Sequence, residues 1–438
     1  MCSNKYSHKV TELQKMLEEI VTNANDIIRF SQRNTDLNAV RFVEVLVLGW
    51  LQKGDASLND LAEMAESLGI TVTGSAINER ISQLAVDLLR EVLMQAIRHL
   101  PTGNRIPIDL LPLFTAVHVT DSTQLGLPKS LYDLFTGGNG DAKVKLQVTI
   151  DYLTGDWVAL EVMKGKASDQ KSALPLTQAI AGSLNLFDLG YFKQERLRDI
   201  DRQEAYFVSR YKSRTALYDR ETLERIDLDR LLRSFRADEY DGQVLLGGRV
   251  KLLLRLVARR LPKKVADARR RKAKKKAKEQ GQICSAAYLY LLSWDILVTN
   301  LTPEQLTSSQ VFDLYPIRTQ IEWVFRVWKS GLQVHHFGKN WRVERGLCQL
   351  YAHLIGILMC HRLTSGWLWH HEREHSFSKC VGIIQSRISQ LMQCIKCQWY
   401  GAQTWIRRLE ESFKQFGRKT KRKKDPSTLQ ILMDGCLS

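Results

Sequence analysis

Residues 315–329 read Tyr315-Pro316-Ile317-Arg318-Thr319-Gln320-Ile321-Glu322-Trp323-Val324-Phe325-Arg326-Val327-Trp328-Lys329. Proline at the first turn and apolar residues at helical spacing predict a helix from Pro316 to about Leu332. At about 100° per residue, Tyr315, Arg318, Glu322, Arg326 and Lys329 fall within roughly an 80° arc, with Ile317, Ile321, Val324, Val327 and Trp328 on the other side. One carboxylate thus stands among three cations on one stripe. A surface helix laced by i,i+4 ion pairs has a similar pattern, each pair contributing a few tenths of a kcal/mol. Here the stripe stays positively charged whatever pairs form along it, and the apolar face is broad enough to seat the helix against a core. The pattern favours a functional stripe.

The rest of the chain limits what that stripe can serve. Its 438 residues exceed one ordinary core and predict two to four domains. Lys and Arg number 64 against 47 acids, a net charge of +17 that favours a polyanionic partner, nucleic acid or an anionic membrane surface. No apolar run reaches the length that spans a bilayer, and the first residues lack the apolar core of a signal peptide. The expectation is a cytoplasmic protein with no membrane partner. The eight cysteines are scattered singly and read as reduced thiols. Nucleic acid becomes the leading partner.

Along the chain, residues 1–105 carry helical periodicity. Within them, residues 56–81 fit two short helices, with Leu58, Leu61, Ala62 and Ala65 inward on the first, Gly69 in the turn, and Ile77 and Ile81 on the second. This fits a helix-turn-helix and an ordinary helical hairpin about equally. From about residue 106 the period becomes two. Residues 114–123, 143–155 and 156–165 predict three strands, 170–184 a helix and 205–211 a further strand, the opening of a ribonuclease-H-like fold. Residues 213–300 contain strand-like runs at 242–261 and 286–300 around the most basic segment, 259–278, where 12 Lys or Arg face one acid, Asp267, for a net +11. A charge run is usually a solvated surface helix, but single-signed density of this kind favours phosphate contact, and Arg269, Arg270, Arg271 and Lys272 are taken as representative contacts. A second basic run, Arg418 to Lys424, reads equally as a tail.

The spacing Tyr315-(two)-Arg318-(three)-Glu322-(six)-Lys329 resembles the Y-R-E-K signature of the insertion-sequence-four family of bacterial DDE transposases. Two upstream aspartates complete the resemblance. Asp121 ends a strand in Val117-His-Val-Thr-Asp121, and Asp188 begins Asp188-Leu189-Gly190-Tyr191-Phe192, similar to the family's Asp-x-Gly-Tyr-Phe element. Leu189 departs from relatives that place a charged or smaller residue there. The resemblance covers roughly residues 110–335 and implies an α/β (α+β) fold: a ribonuclease-H-like core in two parts, 106–212 and 301–345, interrupted by a strand-rich insertion at 213–300. A helical DNA-binding domain at 1–105 and a helical region at 346–438, which packs or dimerises, would flank it.

The resemblance also implies a site. Asp121, Asp188 and Glu322 would be the catalytic carboxylates and ligands of two Mg²⁺ ions, with Mn²⁺ able to substitute. Tyr315, Arg318, Arg326 and Lys329 would hold phosphates. Trp294, 21 positions before Tyr315, stands where relatives carry a tryptophan associated with a flipped base, although a tryptophan on a strand is more commonly core. The implied activity is cut-and-paste movement of an insertion sequence. It comprises nicking at the inverted repeats, hairpin formation and opening, and strand transfer, on double-stranded transposon-end and target DNA, by a homodimer, at the bacterial nucleoid. A catalytically silent descendant and another ribonuclease-H-like nuclease are the competing readings; the complete acidic triad argues against the first and the four-residue signature against the second. His371-Glu372-Arg-Glu-His375 matches a zinc-protease pattern and Cys394-Ile-Lys-Cys397 a lone CxxC, and both are set aside for want of supporting context.

Overall fold

The computed structural model describes residues 17–32, 35–99, 113–332, 334, 336–337, 342–371, 375–397 and 401–418. After a helical segment at 17–28 come α1 (Ala39–Gln52), α2 (Leu58–Ser67), α3 (Gly74–Arg80) and α4 (Gln83–His99). Then follow β1 (Val117–Gly126), β2 (Lys143–Asp151), β3 (Asp156–Lys164), α5 (Leu174–Thr177), β4 (Leu184–Phe187), α6 (Gln194–Arg202) and β5 (Tyr206–Arg210). Next come β6 (Leu217–Tyr218), β7 (Arg225–Ile226), α7 (Leu228–Ser234), β8 (Glu239–Leu246), β9 (Leu252–Arg260), α8 (Lys263–Glu279), α9 (Ala286–Leu291) and β10 (Trp294–Thr299). The chain continues with α10 (Ser308–Leu314), α11 (Gln320–Ser330), α12 (Val343–His371), α13 (Phe377–Gln385), α14 (Ile388–Lys396) and α15 (Ala402–Phe416).

The strands order as β3-β2-β1-β4-β5-β10-β9-β8-β6-β7 in one sheet. β2 and β3 form an antiparallel hairpin, and β1, β4 and β5 run parallel. That 3-2-1-4-5 order is the ribonuclease-H-like arrangement, and β10, β9 and β8 extend it in antiparallel register. Strand β4, Leu-Asn-Leu-Phe, is buried at every position, as a parallel strand covered on both faces should be.

Two compact units divide the chain. The first gathers residues up to 107, 122–167 and 321–425, and so holds α1–α4, β2, β3 and α11–α15. Within it α12 packs against α1 and α4. Leu354, Ile357, Leu358 and His361 of α12 are all buried in their own chain. A capping box between Ser57 and Asp60 starts α2, and Gly69, at φ +82°, makes the left-handed turn that ends it. The second unit, 108–121 and 168–320, holds β4–β10 and α5–α10 around a core that includes Phe187, Tyr191, Phe207, Leu254 and Trp294.

Two expectations are corrected. The helix over 170–184 shrinks to α5. Pro175 is tolerated only in a first turn, Ser172 and Ser183 bond to nearby backbone and so compete with helical bonding, and Gly182 is left-handed at φ +73°. The strand-like run from 286 is helical in its first part, α9. Its start is capped by Ser285, whose hydroxyl accepts from the Tyr288 amide, and Tyr290 lies under the Arg233 guanidinium at 3.8 Å. Only 294–299 are strand. No helix among the described residues is long and apolar enough to cross a membrane.

Candidate active site

In the second unit, β1 and β4 pair in parallel from Val117 opposite Leu184 to Thr120 opposite Phe187. The next residues are Asp121 and Asp188. Residues in register on neighbouring strands share a sheet face, so the two carboxylates stand side by side where the β1–β4 pairing ends, although β1 itself runs on to Gly126 and Asp121 does not end it. The Arg318 guanidinium reaches both, with Nη1 3.7 Å from Asp121 Oδ2 and 3.9 Å from Asp188 Oδ1. Asp121 is largely buried and Asp188 half-exposed, while Arg318 is buried. Carboxylates this close repel each other, and the cation between them offsets the repulsion. An all-oxygen pair of this kind, already arranged around a positive charge, fits a hard divalent cation.

The remaining parts of this unit hold that pair in place. The Tyr315 hydroxyl donates to the Phe187 carbonyl at 3.4 Å, one residue before Asp188. Burial raises the Tyr315 pKa above its ordinary value, which keeps the proton on the donor. In the Asp188-Leu-Gly-Tyr-Phe turn, Tyr191 and Phe192 are buried and Leu189 packs against the same core, so the departure at Leu189 is a packing side chain. A Cβ on Gly190 would come within 3.1 Å of Asp169 Oδ2, so a side chain there would require the Asp169 carboxylate to give by a few tenths of an ångström. Arg210, which no spacing in the sequence singles out, closes β5 at the level of Asp188, because Leu186 lies opposite Val208. Its guanidinium is 5.7 Å from the Tyr315 ring centre, against 5.6 Å for Arg318. Its one sequence signal is a place at the end of the strand that follows the Asp188 element.

The predicted single stripe is divided. Residues 315–319 form a 3₁₀ turn, at about three residues per turn, so Tyr315 and Arg318 eclipse each other; both are buried. The α-helix proper, α11, begins at Gln320 and belongs to the first unit from Ile321 onward. Glu322 lies in its first turn, where the helix dipole favours a carboxylate. Glu322 and Arg326 are exposed and Lys329 is half-buried, with its pKa lowered by burial. Trp323 is exposed too, its ring centre 4.4 Å from the Arg326 guanidinium. Among the described residues, no three His, Cys, Asp or Glu side chains form a preassembled metal cluster.

The other face of α11 is seated by aromatics. Trp328 packs at 4.8 Å from Trp157 of β3 and 5.0 Å from Phe325, and Trp157 lies 6.1 Å from His361 of α12. His361 Nε2 bonds the Gly155 carbonyl in the β2–β3 turn. Burial, aided by the neighbouring Arg362 and opposed by that bond and by Asp156, lowers its pKa from 6.5 to about 4. The unfolded chain therefore takes up this proton at a higher pH than the folded chain does. Stability supplied by neutral His361 is complete above about pH 6.5 and is lost as pH falls toward 4, by about 3 kcal/mol in all. Urea midpoints measured from pH 7 to pH 4 should fall for the wild type and fall less for His361→Gln; parallel curves would refute the assignment.

The residues set apart from the signature are placed differently. Trp294 is a core residue at 2% exposure, with the Arg260 guanidinium 4.6 Å from its ring centre. Its ring is covered at the start of β10, within the apolar cluster. Arg269 and Arg270 turn inward to side chains and carbonyls of 289–295, whereas Arg271 and Lys272 are exposed. Cys394 and Cys397 are free thiols near the end of α14. Residues 372–374 of the HExxH pattern and 419–424 of the second basic run lie outside the described residues.

Comparison with known proteins identifies the family. A family described as "Transposase DDE domain" matches residues 113–354, more than half of the chain. The transposase for insertion sequence element IS231B of Bacillus thuringiensis subsp. berliner is 27% identical over 414 residues, covering 87% of this chain and 86% of the relative. The transposase for insertion sequence element IS1151 of Clostridium perfringens is 26% identical over 458 residues, covering 98% and 95%. Among solved structures, the piggyBac transposase synaptic complex with hairpin DNA aligns with a TM-score of 0.42 and 12% identity, covering 94% of this chain and 84% of that one. With the family match spanning the aspartate pair and the glutamate helix together, the chain belongs to the DDE transposases, in the insertion-sequence-four-like group.

Proposed function

We propose that this enzyme is a cut-and-paste transposase that cleaves the inverted-repeat ends of an insertion sequence and joins them to target DNA. Two ends must be brought together, so a homodimer on the DNA is the working form, acting at the bacterial nucleoid. The observation that carries the reading is the Asp121–Asp188 pair on adjacent parallel strands, sharing the Arg318 guanidinium.

DDE domains use divalent metal ions. Asp121, Asp188 and Glu322 would hold them here, two Mg²⁺ ions per site with Mn²⁺ able to substitute, and when bound such ions stabilise the attacking and leaving oxygens of a phosphodiester. The chain's own groups do the rest. Arg318 and Arg326 can fork onto phosphate oxygens, Lys329 adds a point charge, and Tyr315 would turn its hydroxyl from the Phe187 carbonyl to a phosphate oxygen. These contacts position the strand and carry no sequence information. Arg210, beside Tyr315, belongs to the same set. Strand joining through a hairpin intermediate is part of the reading, with a base extruded onto Trp294, whose ring would have to be uncovered for that step.

The test compares wild type with Glu322→Gln on duplexes carrying the inverted repeats that flank the gene, with Mg²⁺ present. The variant should shift the DNA as wild type does and cleave it at least about a hundredfold more slowly, since one charged ligand is worth several kcal/mol in the transition state. Equal cleavage by both proteins would remove Glu322 from the site.

A further inference from the structure

Helix α8 is unlike the other helices of the chain. Its exposed residues include Lys263, Lys264, Arg271, Lys272, Lys274, Lys275, Lys276 and Lys278, and its only acids are Asp267 and the last residue, Glu279. Asp267 is taken by Arg270 at 3.0 Å. Arg271–Lys275, Lys272–Lys276 and Lys274–Lys278 are therefore like-charge pairs at i,i+4, each of which opposes the helix. The helix is kept in place from its other side. Ala266 is buried, Arg269 bonds Asp295 at 3.3 Å and the Trp294 carbonyl at 3.4 Å, and Arg270 bonds the Leu289 carbonyl at 3.0 Å and the Ser293 hydroxyl. The two arginines next to the sheet are struts; the remaining cations are displayed.

The struts land at an informative place. β10 runs antiparallel to β5, with Leu297 opposite Arg210, and β5 runs parallel to β4. Asp188 and Arg210 thus stand at one end of the sheet, and Asp295 lies two residues beyond Leu297 at that same end. Two strand spacings of about 4.8 Å and two residues of about 3.3 Å put Asp295 roughly 12 Å from Asp188. That is the rise of three to four base pairs at about 3.4 Å each. Asp295 is also near enough to Tyr315 for its charge to act on that hydroxyl. From this foot, Lys264, Arg271, Lys275 and Lys278 form one row, within about 60° of arc and about 21 Å long.

We propose that α8 is a rail for the phosphate backbone of the duplex whose scissile phosphate lies at Asp121 and Asp188. Lys264, Arg271, Lys275 and Lys278 make its sequence-independent contacts, and Arg269 and Arg270 fix it to the sheet. The inference rests on the transposase reading above and adds to it a DNA-contact surface outside the signature residues. Phosphate neutralisation accounts for a helix that otherwise repels itself.

The test replaces the four row residues with Gln in the full-length chain and measures binding to a linear duplex of arbitrary sequence, about 40 base pairs long, against salt. Each lost contact should lower the slope of log affinity against log salt by about 0.9, for a total reduction of about three to four and a 10- to 100-fold weaker affinity near physiological salt. On subsaturating DNA carrying the inverted repeats, cleavage should fall in step with the loss of affinity. Thermal stability should stay the same or rise as repulsion is relieved. An unchanged slope, in a variant that folds, overturns the rail while leaving the transposase reading intact. A wild type that neither binds nor cleaves duplex DNA overturns both. Loss of binding to anionic phospholipid vesicles with no change toward DNA would transfer the helix to a membrane surface and overturn the proposal.

Discussion

Asp121→Asn and Asp188→Asn are each expected to slow single-turnover DNA cleavage by at least about a thousandfold, roughly 4 kcal/mol of transition-state stabilisation. DNA affinity should stay within about twofold of wild type. The two aspartates are in register on β1 and β4, and the amide that replaces either keeps the shape while removing a charged oxygen donor. Mg²⁺ or Mn²⁺ is expected to raise the melting temperature of the wild type and not that of the variants, since an ion that binds only the folded state stabilises it by mass action. Stability without metal separates the two positions. Asp121 is largely buried and Asp188 half-exposed, so removing the Asp121 charge disturbs its pairing with Arg318 more. Asp121→Asn should therefore have the lower melting temperature. Cleavage at the wild-type rate by either variant would refute the aspartate pair as the chemical centre.

How much of this was legible beforehand differs from element to element. The aspartates and the glutamate sit in short motifs with fixed spacing, and the strand alternation around Asp121 is local, so these could be read directly. The 3₁₀ turn at 315–319 could not, because the choice between 3.0 and 3.6 residues per turn is decided by packing of Tyr315 and Arg318 into the second unit's interior, which spacing does not encode. Burial of Trp294 likewise depends on the core cluster that residues distant in sequence, Phe187, Phe207 and Leu254 among them, build around the start of β10. Helix α5 failed to extend because local serine and proline chemistry outweighed apolar periodicity. Arg210 became visible only through strand register, a relation between segments that are distant from Tyr315 in sequence. Residues carried by motifs were readable, and relations carried by which strand lies beside which were not.

Arg362→Met is expected to cost about 3–5 kcal/mol of stability, the usual effect of stranding one partner of a buried ion pair. Arg362 Nη1 lies 2.8 Å from Asp156 Oδ1, and both side chains are largely buried. Asp156 is the first residue of β3, next to Trp157, and Trp157 packs on Trp328 of the helix that carries Glu322. A carboxylate deprived of this guanidinium must draw in water or another donor, and that response moves the start of β3. The loss should thus reach catalysis as well as folding, with Glu322 displaced through Trp157 and Trp328 while the Asp121–Asp188 pair in the second unit keeps its register. Arg362→Met combined with Asp156→Asn removes both charges and should recover most of the stability, a coupling that a double-mutant cycle reads directly. If the double variant is no more stable than Arg362→Met alone, the cost lies in lost packing of the arginine stem, and the ion pair is not what holds the seat of the glutamate helix.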